Sequence, residues 1–190
     1  MIKSILISIR PEWVEKILNG EKTIEIRKTM PKCDLPIDVY IYCTKGNGKN
    51  NFNGKVVAKF TLNEIKKFYV PYPAYFYDVR EKLQHIIDGS CIKFMHLHFY
   101  LENKIGYAWN IDNLEIFDKP LELYNFTTYC DGENDKKCKK CPYYWYESNE
   151  SIGFEDGCSC DHKPPLRKSP QSWCYVYRKE DKQWINIKNY

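Results

Sequence analysis

Hydrophobic and polar positions change their period several times along the chain, and each change predicts an element. Ile5-Leu6-Ile7-Ser8-Ile9 reads as a strand over residues 3–9. Arg10-Pro11-Glu12-Trp13-Val14-Glu15-Lys16 then opens a short helix, 11–18, with Pro11 suited to the first turn. Gly20 supplies the residue that most easily takes a left-handed cap. From Thr23 the pattern alternates: Ile24 and Ile26 on one face, Thr23, Glu25 and Arg27 on the other, predicting a strand over 22–28. The isoleucines must enter a core. The opposite face therefore carries a carboxylate and a guanidinium together, with Lys22 at its entrance.

Further along, Pro31 to Pro36 is a turn, and Ile37-Asp38-Val39-Tyr40-Ile41-Tyr42-Cys43 is a strongly alternating strand. Gly46-Asn47-Gly48-Lys49-Asn50-Asn51 is a polar hairpin loop. No helix opening on Lys-Ser/Thr follows it, so a phosphate-cradling P-loop is excluded. A strand over 54–62 comes next, then an aromatic loop over 68–77 and a helix over 78–87, with Asp78 as N-cap and Gly89 near its end. Residues 91–101 fit either helix or strand, and 107–117 reads as a strand. Strands outnumber helices and short polar turns separate several of them, which predicts an α+β domain built on a β-barrel decorated by short helices.

Length and composition narrow this picture. A chain of 190 residues suffices for one well-buried domain plus an insertion, and is short for two. No run approaches the ~20 apolar residues of a membrane span, and the first residues read as a strand with no secretory cleavage pattern, so a cytoplasmic protein is expected. The formal charge of +4 is compatible with nucleic acid without arguing for it. Any such affinity must come from local patches, of which Lys45, Lys49 and Lys55 are one and Lys136, Lys137, Lys139 and Lys140 another. Each cluster alone reads more readily as a solvated loop.

Five of the nine cysteines crowd into one segment: Cys130, Cys138, Cys141, Cys158 and Cys160, with His162 two residues on. Cys138-Lys139-Lys140-Cys141 has the spacing that lets two thiolates meet one tetrahedral metal. The segment is polar and poor in aliphatic residues, so a structural zinc would supply stability that it cannot draw from a core. An odd cysteine count and no secretion signal argue against disulfides, and free thiols or a redox role are the alternatives. The expected ligands come from these five cysteines with His162 in reserve, and the set leaves no open position for a catalytic metal. Cys33, Cys43, Cys91 and Cys174 are scattered in apolar surroundings and read as core residues.

Gly20-x-Lys22-x-x-Glu25-x-Arg27, preceded by Arg10-Pro11 and the strand Ile5 to Ile9, resembles the signature of ASCH domains. Tyr107 to Leu121 is similar to the family's mid-chain strand, and Pro170-Gln171-Ser172-Trp173-Cys174-Tyr175-Val176 to the closing strand of its phage and prophage-type members. The resemblance spans most of 1–125 and 166–178. It implies a single PUA-like β-barrel over 1–190 with a cysteine-rich insertion at 128–165, and a helical rather than extended 91–101. It also implies an RNA- or nucleobase-binding module, for which a monomer is expected.

Arg27 can hold a phosphate or carbonyl by its planar fork, and Glu25 can accept from an exocyclic amine of cytosine or adenine. An ion pair between strand neighbours accounts for the same residues equally well. The ligand-binding set expected is Arg10, Trp13, Lys22, Glu25, Arg27, Gln171, Ser172 and Trp173, with Trp13 and Trp173 chosen among many aromatics for their nearness to the family motifs. Some family members are amidohydrolases acting on acylated cytidine, and their motif carries a Lys followed three residues on by a Thr nucleophile. Here Lys22 matches the Lys, but Glu25 stands at the Thr position and Thr23 has altered geometry, which places that chemistry in doubt. A ribonuclease would use Lys22 and Glu25 as catalytic residues, with Arg27 as charge stabiliser. A third reading is a protein-interaction adaptor docking through the cysteine loop.

Overall fold

A computed structural model of the protein describes residues 3–46, 52–70, 76–128 and 165–178. The expected zinc ligands Cys130, Cys138, Cys141, Cys158, Cys160 and His162 lie outside the described residues, as does most of the glycine-rich loop after Gly46.

β1 (Ser4–Ile9) leads into α1 (Pro11–Leu18), which starts where Pro11 is tolerated in a first turn and stops just before Gly20. Gly20 takes φ +76°, the left-handed conformation expected of it. β2 (Ile24–Arg27) and β3 (Ile37–Cys43) follow, then β4 (Val56–Leu62) and β5 (Ile65–Phe68). Three short helices come next: α2 (Phe76–Lys82), α3 (Gln84–Ser90) and α4 (Phe94–Leu101). β6 (Gly106–Asn110), β7 (Asp112–Leu121), β8 (Phe126–Thr128) and β9 (Trp173–Arg178) complete the described elements.

The strands form two sheets, one of six strands in the order β7-β4-β3-β1-β9-β8 and one of three in the order β2-β6-β5. This corrects the expected barrel: among the described residues no ladder closes the strands into one cylinder. The run read as a single strand over 107–117 is two strands, because the chain changes sheets within it. β6 pairs with β2 and β5 in the small sheet, whereas β7 pairs with β4 in the large one. At the corner Ile111 donates its N–H to the Thr23 carbonyl at 2.9 Å, and Asn113 adopts φ +48°. The β4–β5 connection makes the same change of sheet beside it, so the alternation of side chains survives while the pairing partner changes.

The helix expected over 78–87 is likewise two helices, α2 and α3, separated at Leu83. Residues 91–101 resolve to α4, as the family resemblance implied.

Three apolar clusters hold these layers. Ile5, Ile7, Val39, Ile41, Phe60 and Trp109 pack between the two sheets with α1. Ile24, Ile26 and Ala108, on the far face of the small sheet, pack against Ile86 of α3 and Leu97 of α4. Leu6, Tyr40, Tyr42, Phe126 and Val176 form a third cluster on the outer face of the large sheet. Of the scattered cysteines only Cys43 is buried; Cys33, Cys91 and Cys174 are half-buried. The stems of the cysteine-rich segment meet, since Thr127 pairs with Pro165 and Leu166 donates its N–H to the Phe126 carbonyl at 2.8 Å. No helix among the described residues is long and apolar enough to cross a membrane.

Candidate functional site

Alternation in β2 sends Ile24 and Ile26 to the helical side and Glu25 and Arg27 toward the large sheet. Both polar side chains thereby reach the layer between the sheets. Glu25 lies opposite Trp109 on β6, and Arg27 opposite Tyr107. Lys22 enters the same layer from the turn after α1, where its N–H is tied to the Lys16 carbonyl at 2.9 Å.

The three charged groups form a chain. Glu25 Oε2 lies 3.2 Å from Lys22 Nζ, and Oε1 lies 3.0 Å from Arg27 Nη2. Their residues are 2% (Lys22), 7% (Glu25) and 9% (Arg27) exposed, so they form a buried floor to the layer between the sheets. Lys22 Nζ also donates to the carbonyls of Ile24 at 2.7 Å and Ser90 at 2.9 Å, so the ammonium's three donors are all engaged. Its charge stands 5.4 Å from the centre of the Trp13 ring, within cation–π range.

Arg27 ties the small sheet to the large one. Nη2 donates to the Ser8 carbonyl at 2.8 Å, and Nη1 to Ser172 Oγ at 3.3 Å. The strap that brings Ser172 there is fixed by Ser8, whose N–H donates to the Ser172 carbonyl at 2.8 Å and whose hydroxyl donates to the Pro170 carbonyl at 2.6 Å. The fork expected to meet a phosphate or carbonyl is therefore already bound to protein. Two donors nearby are not: Arg27 Nε and Trp109 Nε1 are buried with no hydrogen-bond partner among the described residues. Buried polar groups are nearly always paired, so these two N–H groups are available to an acceptor.

Of the eight expected binding residues, the structure brings six together. Lys22, Glu25 and Arg27 form the floor, Ser172 contacts Arg27, Trp13 faces Lys22, and Trp173 packs edge-to-face on Trp109 with ring centres 5.8 Å apart. Trp173 Nε1 also donates to Thr29 Oγ1 at 3.0 Å, which holds the ring in place. Arg10 is exposed at the N-terminal end of α1, and Gln171 is exposed on the strap; neither side chain makes a hydrogen bond or ion pair with the floor among the described residues.

Tyr100 on α4 was missed by sequence reasoning. Burial pushes its hydroxyl above the usual tyrosine value, with Arg27 opposing the rise and Glu25 adding to it, so the hydroxyl is within electrostatic reach of the pair. Lys28 Nζ lies 5.1 Å from its centre, yet the residue is still 42% exposed. The available signal was the exposed pair Phe99-Tyr100 on a helix that otherwise buries Phe94, Leu97 and Leu101. Tyr72 and Tyr75 of the aromatic loop lie outside the described residues.

Comparison with known proteins agrees with the fold. The family model of the ASCH domain matches residues 7–117, which contain the whole floor. A solved ASCH protein from Zymomonas mobilis is similar at a TM-score of 0.55 and 17% identity, covering 94% of this chain and 90% of its own. A Tyr-to-Phe mutant of the Zymomonas mobilis protein is similar at a TM-score of 0.56 and 15% identity, covering 98% of this chain and 99% of its own. At these identities the likeness is one of fold. The search of curated proteins gave no match.

Proposed function

Since the chain belongs to the ASCH domain family, we propose that it is a binding module that takes a nucleobase, free or as part of an RNA, between its two sheets above Glu25 and Arg27. One observation carries the reading: a buried floor with two cations to one carboxylate, bearing two unpartnered donors and rimmed by Trp13, Trp173 and Tyr100. A base supplies what that floor lacks, a ring carbonyl or nitrogen as acceptor and a flat face for the aromatic rim. Glu25, with one cation on each oxygen, retains lone pairs that can take an exocyclic amine.

Binding is favoured over turnover by the state of Lys22. Its three donors are engaged by Ile24, Ser90 and Glu25, which fixes Nζ on protein acceptors and leaves no N–H free for a substrate. With a carboxylate where the amidohydrolase members carry threonine, the floor has no hydroxyl nucleophile at that position. The test is a joint binding and turnover assay with short RNAs and free modified nucleosides, comparing the wild type with Glu25→Gln and Tyr100→Ala. Saturable binding without product, weakened in both variants, is expected. Product formation lost in Glu25→Gln would replace the module by an enzyme.

We further propose that the 128–165 segment holds a structural zinc through four of Cys130, Cys138, Cys141, Cys158 and Cys160, with His162 in reserve. The support is the knuckle spacing Cys138-x-x-Cys141 and the polarity of the segment. Metal analysis of purified protein should find about one zinc per chain, removable by chelator with loss of thermal stability. Metal-free protein with full stability would refute it.

A further inference from the structure

A second site lies on the other side of the large sheet. A groove of about 720 Å3 is lined by Tyr42, Lys45, Gly54, Glu122, Leu123, Tyr124, Leu166, Arg167, Lys168 and Ser169. Tyr42 leaves β3 on the face that carries Tyr40, opposite the Val39 and Ile41 face that packs toward Trp109. The groove therefore shares no residue with the floor around Glu25 and is separated from it by the sheet itself.

Its charge is one-sided. Lys45, Arg167 and Lys168 are exposed and have no ion-pair partner among the described residues. The groove's acid, Glu122, is already engaged: Lys55 pairs with it, and its side chain caps the turn Leu123–Asn125. Asn125 Oδ1 returns the contact by accepting the Glu122 N–H at 3.0 Å. Gly54, at φ +82°, leaves room for the Lys45 stem, which passes 3.2 Å from where a Cβ would stand. Leu123, Leu166 and the ring of Tyr42 give an apolar floor, and Tyr124 stands 57% exposed at the edge.

We propose that this groove binds single-stranded RNA, with Lys45, Arg167 and Lys168 on successive phosphates and Tyr124 stacked on an unpaired base. Three exposed cations in one groove with an exposed aromatic and an apolar floor suit a strand with splayed bases, whereas a duplex keeps its bases stacked internally. The choice of RNA among polyanions rests on the nucleobase-binding reading of the cleft; the groove itself does not.

The test uses the full-length, metal-replete protein and a fluorescent twelve-nucleotide single-stranded RNA, titrated at several salt concentrations. Each phosphate neutralised on a single strand contributes about −0.7 to the log–log salt slope, so three cations contribute roughly −2. Arg167→Gln/Lys168→Gln should weaken binding by more than tenfold and flatten the slope by roughly 1.4, and Lys45→Gln should remove most of the remainder. Binding of free nucleosides, which needs the cleft alone, should be unchanged in these surface variants. Tyr124→Ala should weaken the oligonucleotide without altering the slope. Equal affinity of wild type and variants, or no oligonucleotide binding by the wild type, overturns the proposal and leaves the cleft to be judged by the nucleoside titration. Competition by polyglutamate as effective as by RNA overturns it too, since the face would then be a generic polyanion or acidic-protein surface. Oligonucleotide binding that survives a failed nucleoside titration upholds the groove and retires the cleft.

Discussion

Glu25→Gln removes one negative charge from between two buried cations, and its cost can be worked from the geometry. With oxygens 3.2 Å from Lys22 Nζ and 3.0 Å from Arg27 Nη2, each attraction is about 5 kcal/mol gross at an effective dielectric of ~20. Most of that is offset by the desolvation of three buried charges, so the intact network adds little net stability. Breaking it differs, because neither cation can leave. Lys22 is held by the Ile24 and Ser90 carbonyls and Arg27 by the Ser8 carbonyl. Removing one partner of such a set typically costs about 3–5 kcal/mol. Glutamine keeps one oxygen acceptor but turns an amide N–H2 toward a cation, so we expect about 3 kcal/mol, a fall in Tm of roughly 6–12 °C for a chain of this size. Urea unfolding followed by tryptophan fluorescence measures it, with the slope unchanged. Lys22→Met alone should be comparably destabilising. The double variant should recover about 1.5–3 kcal/mol relative to the sum of the singles, because one of the two cations that Glu25→Gln leaves without its carboxylate is then gone. A Glu25→Gln cost under about 1 kcal/mol, or additivity within ~0.5 kcal/mol, would refute the reasoning that these charges are desolvated and coupled.

Tyr100→Ala should weaken nucleoside binding by about ten- to a hundredfold, the value of one lost stacking ring, while Tyr100→Phe keeps most of the affinity; calorimetric titration decides. Gly106→Ala should destabilise by about 1–3 kcal/mol, since the new Cβ would stand 2.5 Å from Phe68 Cζ and 2.9 Å from Leu101 Cδ1; an unchanged melting curve would contradict that packing. Burial, with Glu15 and Glu12 adding, pushes the Cys43 thiol from 9.0 to about 11, and burial pushes Cys174 to about 11. Iodoacetamide labelling of Cys43 in folded protein at pH 8.5 should therefore be slower than in the unfolded chain by on the order of 100-fold, read by peptide mass spectrometry. A thiol with a raised folded value contributes stability that is whole below pH 9 and lost as pH rises from about 9 to 11, so Tm should decline across that window on account of these two groups.

Much of the first unit was legible in the order of residues because its causes are local. Pro11 and Gly20 bound α1 through a fixed φ and a left-handed cap, and strict alternation specified β3 over Ile37–Cys43. Alternation also separated Ile24 and Ile26 from Glu25 and Arg27, which then appeared on opposite faces of β2. The ASCH motif lies within this legible stretch. What could not be read is decided by partners distant in sequence. The pattern over 107–117 predicts extended chain but carries no mark of where the chain leaves one sheet for another, since side chains alternate in the same way on both sides of the corner at Ile111. β5, with only Phe68 buried, has too weak a period to announce a strand, and it exists because Gly106 to Trp109 offers it a pairing edge.

The same division runs through the site. That a lysine, a glutamate and an arginine share one polar face follows from spacing alone, because backbone geometry repeats every two residues in a strand whatever surrounds it. That Arg27 spends its fork on Ser8 and on Ser172, 145 residues away, that Lys22 is held by the Ser90 carbonyl, and that Tyr100 feels the charges of Arg27 and Glu25 are consequences of closing two sheets and a helix around one small volume. Periodicity sets which side a residue faces; only tertiary packing sets what meets it there, because those contacts join segments that the chain itself holds far apart.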